Sequence, residues 1–312
     1  MAALNIFLLG DVTLQPATSK QLRFPTKKSK SLFAYLVLYK ERTFQRNAVA
    51  GLFWPERDDD RAQRSLNSEV WRLRSMLGNA GLEPATFLHS DHCSIGFRAD
   101  SDHWVDAAEF NCSIDALSTQ RAETARPGCL PNLEKAIELY RGDLLEGVFD
   151  DWCLVQREAY RARLMAALEF MLTRAIEAQD WAKAIGHGRR LLELDPLQEH
   201  VHRALMRCYS RLGNRPAALR QYATCAKILA DELQIEPMDE TRQVYEAIVI
   251  ADGSSGHSSA LPRGRRLHRT TPREAILQQI DVALDSLSRT QACLEDARRR
   301  LGADDDQDGT PS

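Results

Sequence analysis

The chain has 312 residues, of which 44% are hydrophobic and 27% charged, enough apolar material for about two ordinary globular domains and too much for wholesale disorder. No run nears the ~18 uncharged apolar residues of a membrane span, and the start MAALNIFLLGD lacks the basic leader of a secretory signal, so the expected location is the cytoplasm. The formal net charge of −3 hides a segregation: Lys20 to Arg74 holds thirteen Lys/Arg against six acids, a local charge of +7, which leaves −10 for the remainder. Such a split is expected of a phosphate-binding module joined to a neutral or acidic partner domain. Seven scattered cysteines without a Cys-x-x-Cys pair read as reduced thiols.

In chain order, Leu4 to Leu14 is rich in β-formers and broken by Gly10-Asp11, which predicts a small hairpin. Behind a cap at Thr26 or Ser29, Leu32, Phe33, Leu36 and Val37 recur at helical spacing. A short second helix is expected over 47–54, stopped by Pro55. A third covers 61–77, with Gly78 as its left-handed C-cap. Phe87 to Phe97, with Ser90-Asp91 inside it, reads as a closing hairpin.

From residue 104 the pattern turns helical, with helices expected at 104–118, 131–146, 151–178, 181–193, 198–212, 215–233 and 239–250. Within them QDWAKAI (179–185) recurs as GNRPAAL (213–219), an offset of 34 residues. That is the tetratricopeptide period, in which each helix pair buries its face on the next; Trp181, Leu191, Leu192, Leu205, Tyr209 and Leu219 are the expected packing residues. Residues 251–271 are Gly/Ser-rich and then basic, and are expected to be a linker. Over 272–302, Leu277, Ile280, Leu284, Leu287, Gln291, Leu294, Arg298 and Leu301 alternate in steps of three and four, a heptad seam. It suits self-association into a homodimer or folding back onto its own domain. The acidic end, 303–312, lacks large apolar residues and is expected to be disordered. The expected domains are therefore 1–103, 104–250, the linker, the seam helix and the tail.

The third helix separates most clearly into faces at 100° per residue. Ala62, Leu66, Val70, Leu73 and Leu77 form an inward stripe, while Arg61, Arg64, Ser68, Trp71, Arg72 and Ser75, flanked by Asn67, point away from it. Arginines with small polar groups on an exposed helix suit the major groove of duplex DNA, where Arg can bond guanine O6/N7 and Asn can bond adenine N6/N7.

LFWPERDDDRAQRSLNSEVWRLRSMLG (52–78) resembles the second helix, loop and recognition helix of the OmpR/PhoB-type winged helix-turn-helix, in the version found in the Streptomyces antibiotic regulatory protein (SARP) family. LYRGDLLEGVFDDWCLVQRE (139–158), LLELDPLQEHVHRALMRCYSRLGNRPAALRQY (191–222) and LADELQIEP (229–237) are similar to the bacterial transcriptional activator domain of the same family, so the resemblance covers about residues 4–250. It implies a mainly α protein: an N-terminal winged helix-turn-helix with small β-sheets, then an α-helical tetratricopeptide-like domain, then a separate C-terminal helix. It also implies an activator that binds double-stranded DNA at repeated half-sites and recruits RNA polymerase through its sigma factor region. On this reading Arg61, Arg64, Asn67, Ser68, Trp71 and Arg72 meet bases. Lys27, Lys28, Lys30, Arg46, Arg74 and His92 meet phosphates. The loop with Glu56, Arg57, Asp58 and Asp59 faces polymerase, and 89–94 is the wing tip. The chain departs from response regulators in having no receiver domain, so phosphorelay control is not implied, and the C-terminal helix lies outside the shared pattern.

The rival from another class is a helical-repeat scaffold for protein partners with an accessory N-terminal domain. An enzyme finds little support, since Walker, dinucleotide, HExxH and G-x-S-x-G patterns are missing from the sequence. No cofactor or metal is expected: His200 and His202 diverge on a helix, and they, like His89 and His92, read as surface histidines. Asp150 and Asp151 beside Trp152 read as a helix start rather than paired catalytic acids.

Overall fold

The computed structural model describes residues 2–17, 20–120 and 130–250. The chain divides into two compact units, residues 1–168 and residues from 169 onward. The sequence boundary at 103/104 thus falls inside the first unit. Residues 251–312, with the linker, the seam residues Leu277, Ile280, Leu284, Leu287, Leu294 and Leu301, and the acidic tail, lie outside the described residues.

In the first unit, β1 (Leu4–Phe7) and β2 (Thr13–Pro16) form the expected antiparallel hairpin, with Leu4 opposite Pro16 and Phe7 opposite Thr13. Then come α1 (Lys27–Leu38), β3 (Phe44–Gln45), α2 (Arg46–Phe53), α3 (Asp59–Asn79), the one-turn α4 (Pro84–Phe87), β4 (Leu88–Ser90), β5 (Ser94–Phe97) and β6 (His103–Val105). Two three-stranded sheets result, in the orders β2-β1-β6 and β3-β5-β4. β6 runs parallel to β1, with Leu4 beside His103 and Ile6 beside Val105. No local pattern announces this strand, because its pairing residue lies about a hundred positions away. α1 starts on Thr26, not Ser29: Thr26 Oγ1 accepts from Ser29 N at 2.9 Å and Ser29 Oγ accepts from Thr26 N at 3.0 Å, a reciprocal capping box.

α3 outruns the sequence expectation at both ends. Asp58 caps it by accepting from Arg61 N at 2.8 Å, and Gly78 stays helical. The left-handed residue is instead Gly81, at φ +77°, after which Leu82 N reaches back to Leu77 O at 3.1 Å. The helix expected over 131–146 is also corrected: α6 is Leu130–Leu139, following α5 (Asp106–Gln120) and preceding α7 (Asp151–Glu177). Residues 140–146 cannot continue it, because their backbone bonds go to the residues after β1. Gly10 N donates to Asp143 O at 3.0 Å, Leu145 N to Leu8 O at 2.8 Å and Glu146 N to Gly10 O at 2.9 Å. Gly10, at φ +106°, and Gly142 cross back to back; a Cβ on Gly142 would sit 3.2 Å from Gly10 Cα.

Two polar groups, one buried and one half-buried, hold this crossing. The carboxylate of Asp106, 1% exposed, accepts from Leu8 N (2.7 Å), Leu9 N (3.1 Å) and Ala107 N (2.7 Å). Arg157 on α7 donates to the carbonyls of Leu144, Leu145 and Val148 at 2.8–2.9 Å. The start of α7 is bound to the helix-turn-helix as well. Trp152 meets Tyr35 edge-on at 5.0 Å between centroids and lies 6.2 Å from Phe53. Asp150 pairs with Lys28 at 2.9 Å and accepts from the Ser31 hydroxyl. Asp150 therefore serves α1, and Asp151 alone stands in the first turn of α7.

The second unit holds the end of α7, then α8 (Trp181–Leu194), α9 (Glu199–Arg211), α10 (Arg215–Leu233) and α11 (Asp239–Ile250). The 34-residue repeat is visible in the backbone. Gln179 and Gly213 are both left-handed, and Asp180 and Asn214 then cap α8 and α10 by accepting from Lys183 N and Ala217 N. α8 packs on α9, and α9 on α10 and α11. Leu191, Leu205 and Tyr209 are buried as expected, whereas Trp181, Leu192 and Leu219 are half-buried. Gly188 lets α9 approach, since a Cβ there would fall 2.7 Å from Leu205 Cδ2. His202 is corrected: it is buried, with Nε2 3.0 Å from Pro196 O and Nδ1 accepting from Gln221 Nε2 at 2.7 Å. His200 is exposed and contacts Glu169.

Two outcomes follow from these buried groups. Asp106→Ala strands three amides and should lower stability by about 3 kcal/mol, read as a lower urea midpoint; an unchanged midpoint would show that water replaces the carboxylate. For His202, burial holds the imidazole pKa below its ordinary value. Its contribution is therefore full above the unfolded value of about 6.5 and fades as pH falls through the lowered folded value. The urea midpoint should fall between about pH 7.5 and pH 5 by more in the native chain than in His202→Gln.

Candidate nucleic-acid interface

The inner stripe of α3 lies as its periodicity predicts: Ala62, Leu66, Val70, Leu73 and Leu77 are buried. The helix carries one more buried group that the apolar pattern did not reveal. Glu69, 7% exposed, accepts from the Thr26 hydroxyl at 2.7 Å and pairs with Arg72. It joins the cap of α1 to α3, and it holds Arg72 against the body of the domain. A lone acid within an inward stripe was the available signal.

Away from that stripe, Arg61, Arg64, Asn67, Ser68 and Trp71 are exposed, Trp71 at 69%. Arg64 joins no ion pair among the described residues. Arg61 lies 3.2 Å from the Asp58 carboxylate, and Arg57 donates to Ser65 Oγ at 2.6 Å. A shallow cleft lined by Arg57, Arg61, Arg64, Ser65 and Ser68 results at the start of the helix. The loop acids are thus partly spent: Asp58 caps α3 and pairs with Arg61, and Glu56 lies 3.7 Å from Arg57.

A second cleft, of about 570 Å³, lies between α3 and the β4–β5 hairpin, lined among others by Arg46, Asn67, Trp71, Arg74 and His92. Arg46 spans its floor. Nη2 donates to Asn67 Oδ1 at 2.5 Å and Nη1 to Ser90 Oγ at 2.8 Å, while its own backbone N donates to Cys93 O at 2.9 Å. The side chain is 8% exposed, and burial pulls its pKa below the ordinary value, opposed by Asp91 and reinforced by Arg74. The hairpin turn is built on Asp91. Its carboxylate accepts from Cys93 N (2.8 Å), Ser94 N (2.6 Å) and Ser94 Oγ (2.8 Å), and these bonds draw its pKa down to about 2. His89 flanks the same carboxylate at 3.1 Å, and His92 at the turn is exposed.

The basic cluster of α1 is divided. Lys28 is paired with Asp150 and Lys30 with Asp11, whereas Lys27 is exposed. Among the described residues no group of three His, Cys, Asp or Glu is placed to hold a metal ion, and no helix is long and apolar enough to cross a membrane.

An exposed arginine-bearing helix beside a short hairpin, joined to a helical stack, is an arrangement that known proteins share. Residues 105–249 match the bacterial transcriptional activator domain. The chain is 25% identical over 260 residues to the regulatory protein AfsR of Streptomyces coelicolor, covering 83% of this chain but 25% of AfsR, so it spans about a quarter of that relative's length. It is 27% identical to the transcriptional regulatory protein MoaR1 of Mycobacterium tuberculosis over 79% of each chain. Its fold is similar to that of Mycobacterium tuberculosis EmbR, solved in complex with a low-affinity phosphopeptide, with a TM-score of 0.57, 22% identity, and coverage of 80% of this chain and 66% of EmbR. The chain is mainly helical with small N-terminal sheets, as its sequence implies.

Arg46 ties α3 to the hairpin, which generates a local expectation. Arg46→Met keeps the stem but removes both donors, so amide exchange across 88–97 should accelerate while α3 stays protected. Equal exchange in the two proteins would mean that the sheet alone orders the hairpin.

Proposed function

We propose that this chain is a regulator of the SARP/BTAD kind, a sequence-specific regulator of transcription that binds double-stranded DNA with α3 in the major groove and the β4–β5 hairpin as a wing. The observation that carries the reading is the outer face of α3, where Arg64, Ser68 and Trp71 stand exposed with Arg61 and Asn67 at the edges. Arg64 is the principal base reader, since its guanidinium is free to form a bidentate pair. Asn67 offers its amide nitrogen to a base, while its oxygen already accepts one bond from Arg46. Lys27, Arg74 and His92 bind phosphates on either side. Arg46, Arg72, Lys28 and Lys30 spend their charge on internal partners and fix the geometry. Recruitment of RNA polymerase is assigned to Glu56, Arg57 and Asp58 in the loop before α3, with Asp59 in its first turn.

Arg64→Ala should weaken the cognate site by about 1–3 kcal/mol and relax preference at one base pair. Lys27→Ala should instead weaken every sequence alike and lower the salt slope by about 0.9. Mobility shifts on sites selected from random duplexes measure both. If the native chain selects no sequence, or if Arg64→Ala binds cognate and random DNA as before, the recognition-helix assignment fails and the helical-repeat scaffold becomes the better reading.

A further inference from the structure

Of the five tryptophans, Trp54 is buried, Trp104, Trp152 and Trp181 are half-buried, and Trp71 alone stands exposed, at 69%. Among the described residues its side chain makes no hydrogen bond, ring contact or cation contact. A large aromatic left bare on a helix is a surface waiting for an occupant, because its apolar area gains nothing in water.

The place of Trp71 on α3 narrows what that occupant is. It follows Arg64 by seven residues, two helical turns, so the two side chains leave the helix on nearly one line about 10 Å apart. Exposed Asn67 and Ser68 flank that line, and Arg74 and His92 border the cleft beside it. Asp91, the acid lining the cleft, spends its carboxylate on its own turn. Trp71 is thus the one large apolar side chain in a row of polar and basic ones.

We propose that Trp71 reads thymine: its indole packs on the C5-methyl group of one thymine in the major groove, so that the chain prefers T·A over C·G at that pair. This inference rests on the DNA-binding reading above and names the base that one of its residues selects. Base edges in the major groove present hydrogen-bonding groups and a single apolar one, the thymine methyl. Indole offers an apolar surface and one donor, its N–H, with no acceptor. Thymine matches both, because its O4 acceptor lies beside the methyl. Cytosine instead sets an N4 donor there and carries no methyl, and guanine offers acceptors with no apolar group. Alignment with Arg64 sets Trp71 over the base edges, about two to three base pairs from the base that Arg64 meets, at ~3.4 Å per step.

The test uses the full-length chain and the duplex that it selects from a random library. Each thymine of that duplex is replaced in turn by deoxyuridine, which removes the C5-methyl and keeps every hydrogen-bonding group, and Kd is read by fluorescence anisotropy at fixed salt. For the native chain one replacement, about two to three base pairs from the pair at which Arg64→Ala relaxes preference, should raise Kd about fourfold, the worth of one buried methyl. The same replacement should leave the Kd of Trp71→Ala unchanged. Trp71→Phe, which keeps an apolar ring, should retain part of the loss. Both variants should melt as the native chain does, since the side chain they alter is exposed.

If no thymine is sensitive in the native chain, or if Trp71→Ala loses as much as the native chain at the sensitive thymine, the proposal is overturned. Equal weakening of selected and random duplexes by Trp71→Ala, with methyl sensitivity intact, also overturns it and puts the indole on the sugar-phosphate edge. A native chain that selects no sequence overturns the DNA-binding reading and this inference together, whereas selection without methyl sensitivity overturns this inference alone.

Discussion

The carboxylate of Asp106 is the constraint on which the first unit depends. It sits where β6 ends and α5 begins, and it fixes the backbone amides of Leu8 and Leu9 directly after β1. Burial raises its pKa while the three amides it binds oppose that rise. The residues after β1 cannot then close as a simple hairpin turn. They meet residues 142–146, and the crossing of Gly10 with Gly142 permits contact that no side chain would allow. Arg157 grips the same crossing from α7. A compact unit that extends to residue 168, past the end of the winged helix-turn-helix, is the consequence.

The same economy of charge governs the interface. The basic segment supplies arginines and lysines in excess, and the fold divides them by depth. Arg46 goes to neutral acceptors on α3 and the hairpin, Arg72 to Glu69, and Lys28 and Lys30 to carboxylates at a distance in sequence. What is left outside is a smaller set on a helix held at two points, by Glu69 on the Thr26 side and by Asn67 on the hairpin side. A helix held at two points keeps its outer side chains in fixed positions.

Much of this was legible beforehand. The period of α3 placed its buried stripe, and α10 and α11 begin and end where apolar spacing and proline put them. The repeat of QDWAKAI and GNRPAAL located two left-handed residues and two caps, since a helix pair needs the same chemistry at the same joint. The misses have a common cause. β6, the early end of α6 and the role of Asp150 all rest on partners from about a hundred residues away, and local pattern carries no record of them. Glu69 and His202 were hidden differently, because a polar residue reads as surface until its hydrogen-bond partners are known.

The sequence by itself determined where most of the described helices lie, which face of α3 is buried, where the helical repeat falls, and that positive charge collects near α3. These properties follow from residue spacing and turn chemistry, which act within a few positions of the chain. Tertiary structure alone decided which of the charges remain available. An arginine in a basic run stays free or becomes a strut according to whether a distant acceptor reaches it, and burial then makes that partnership far more expensive to break than in water.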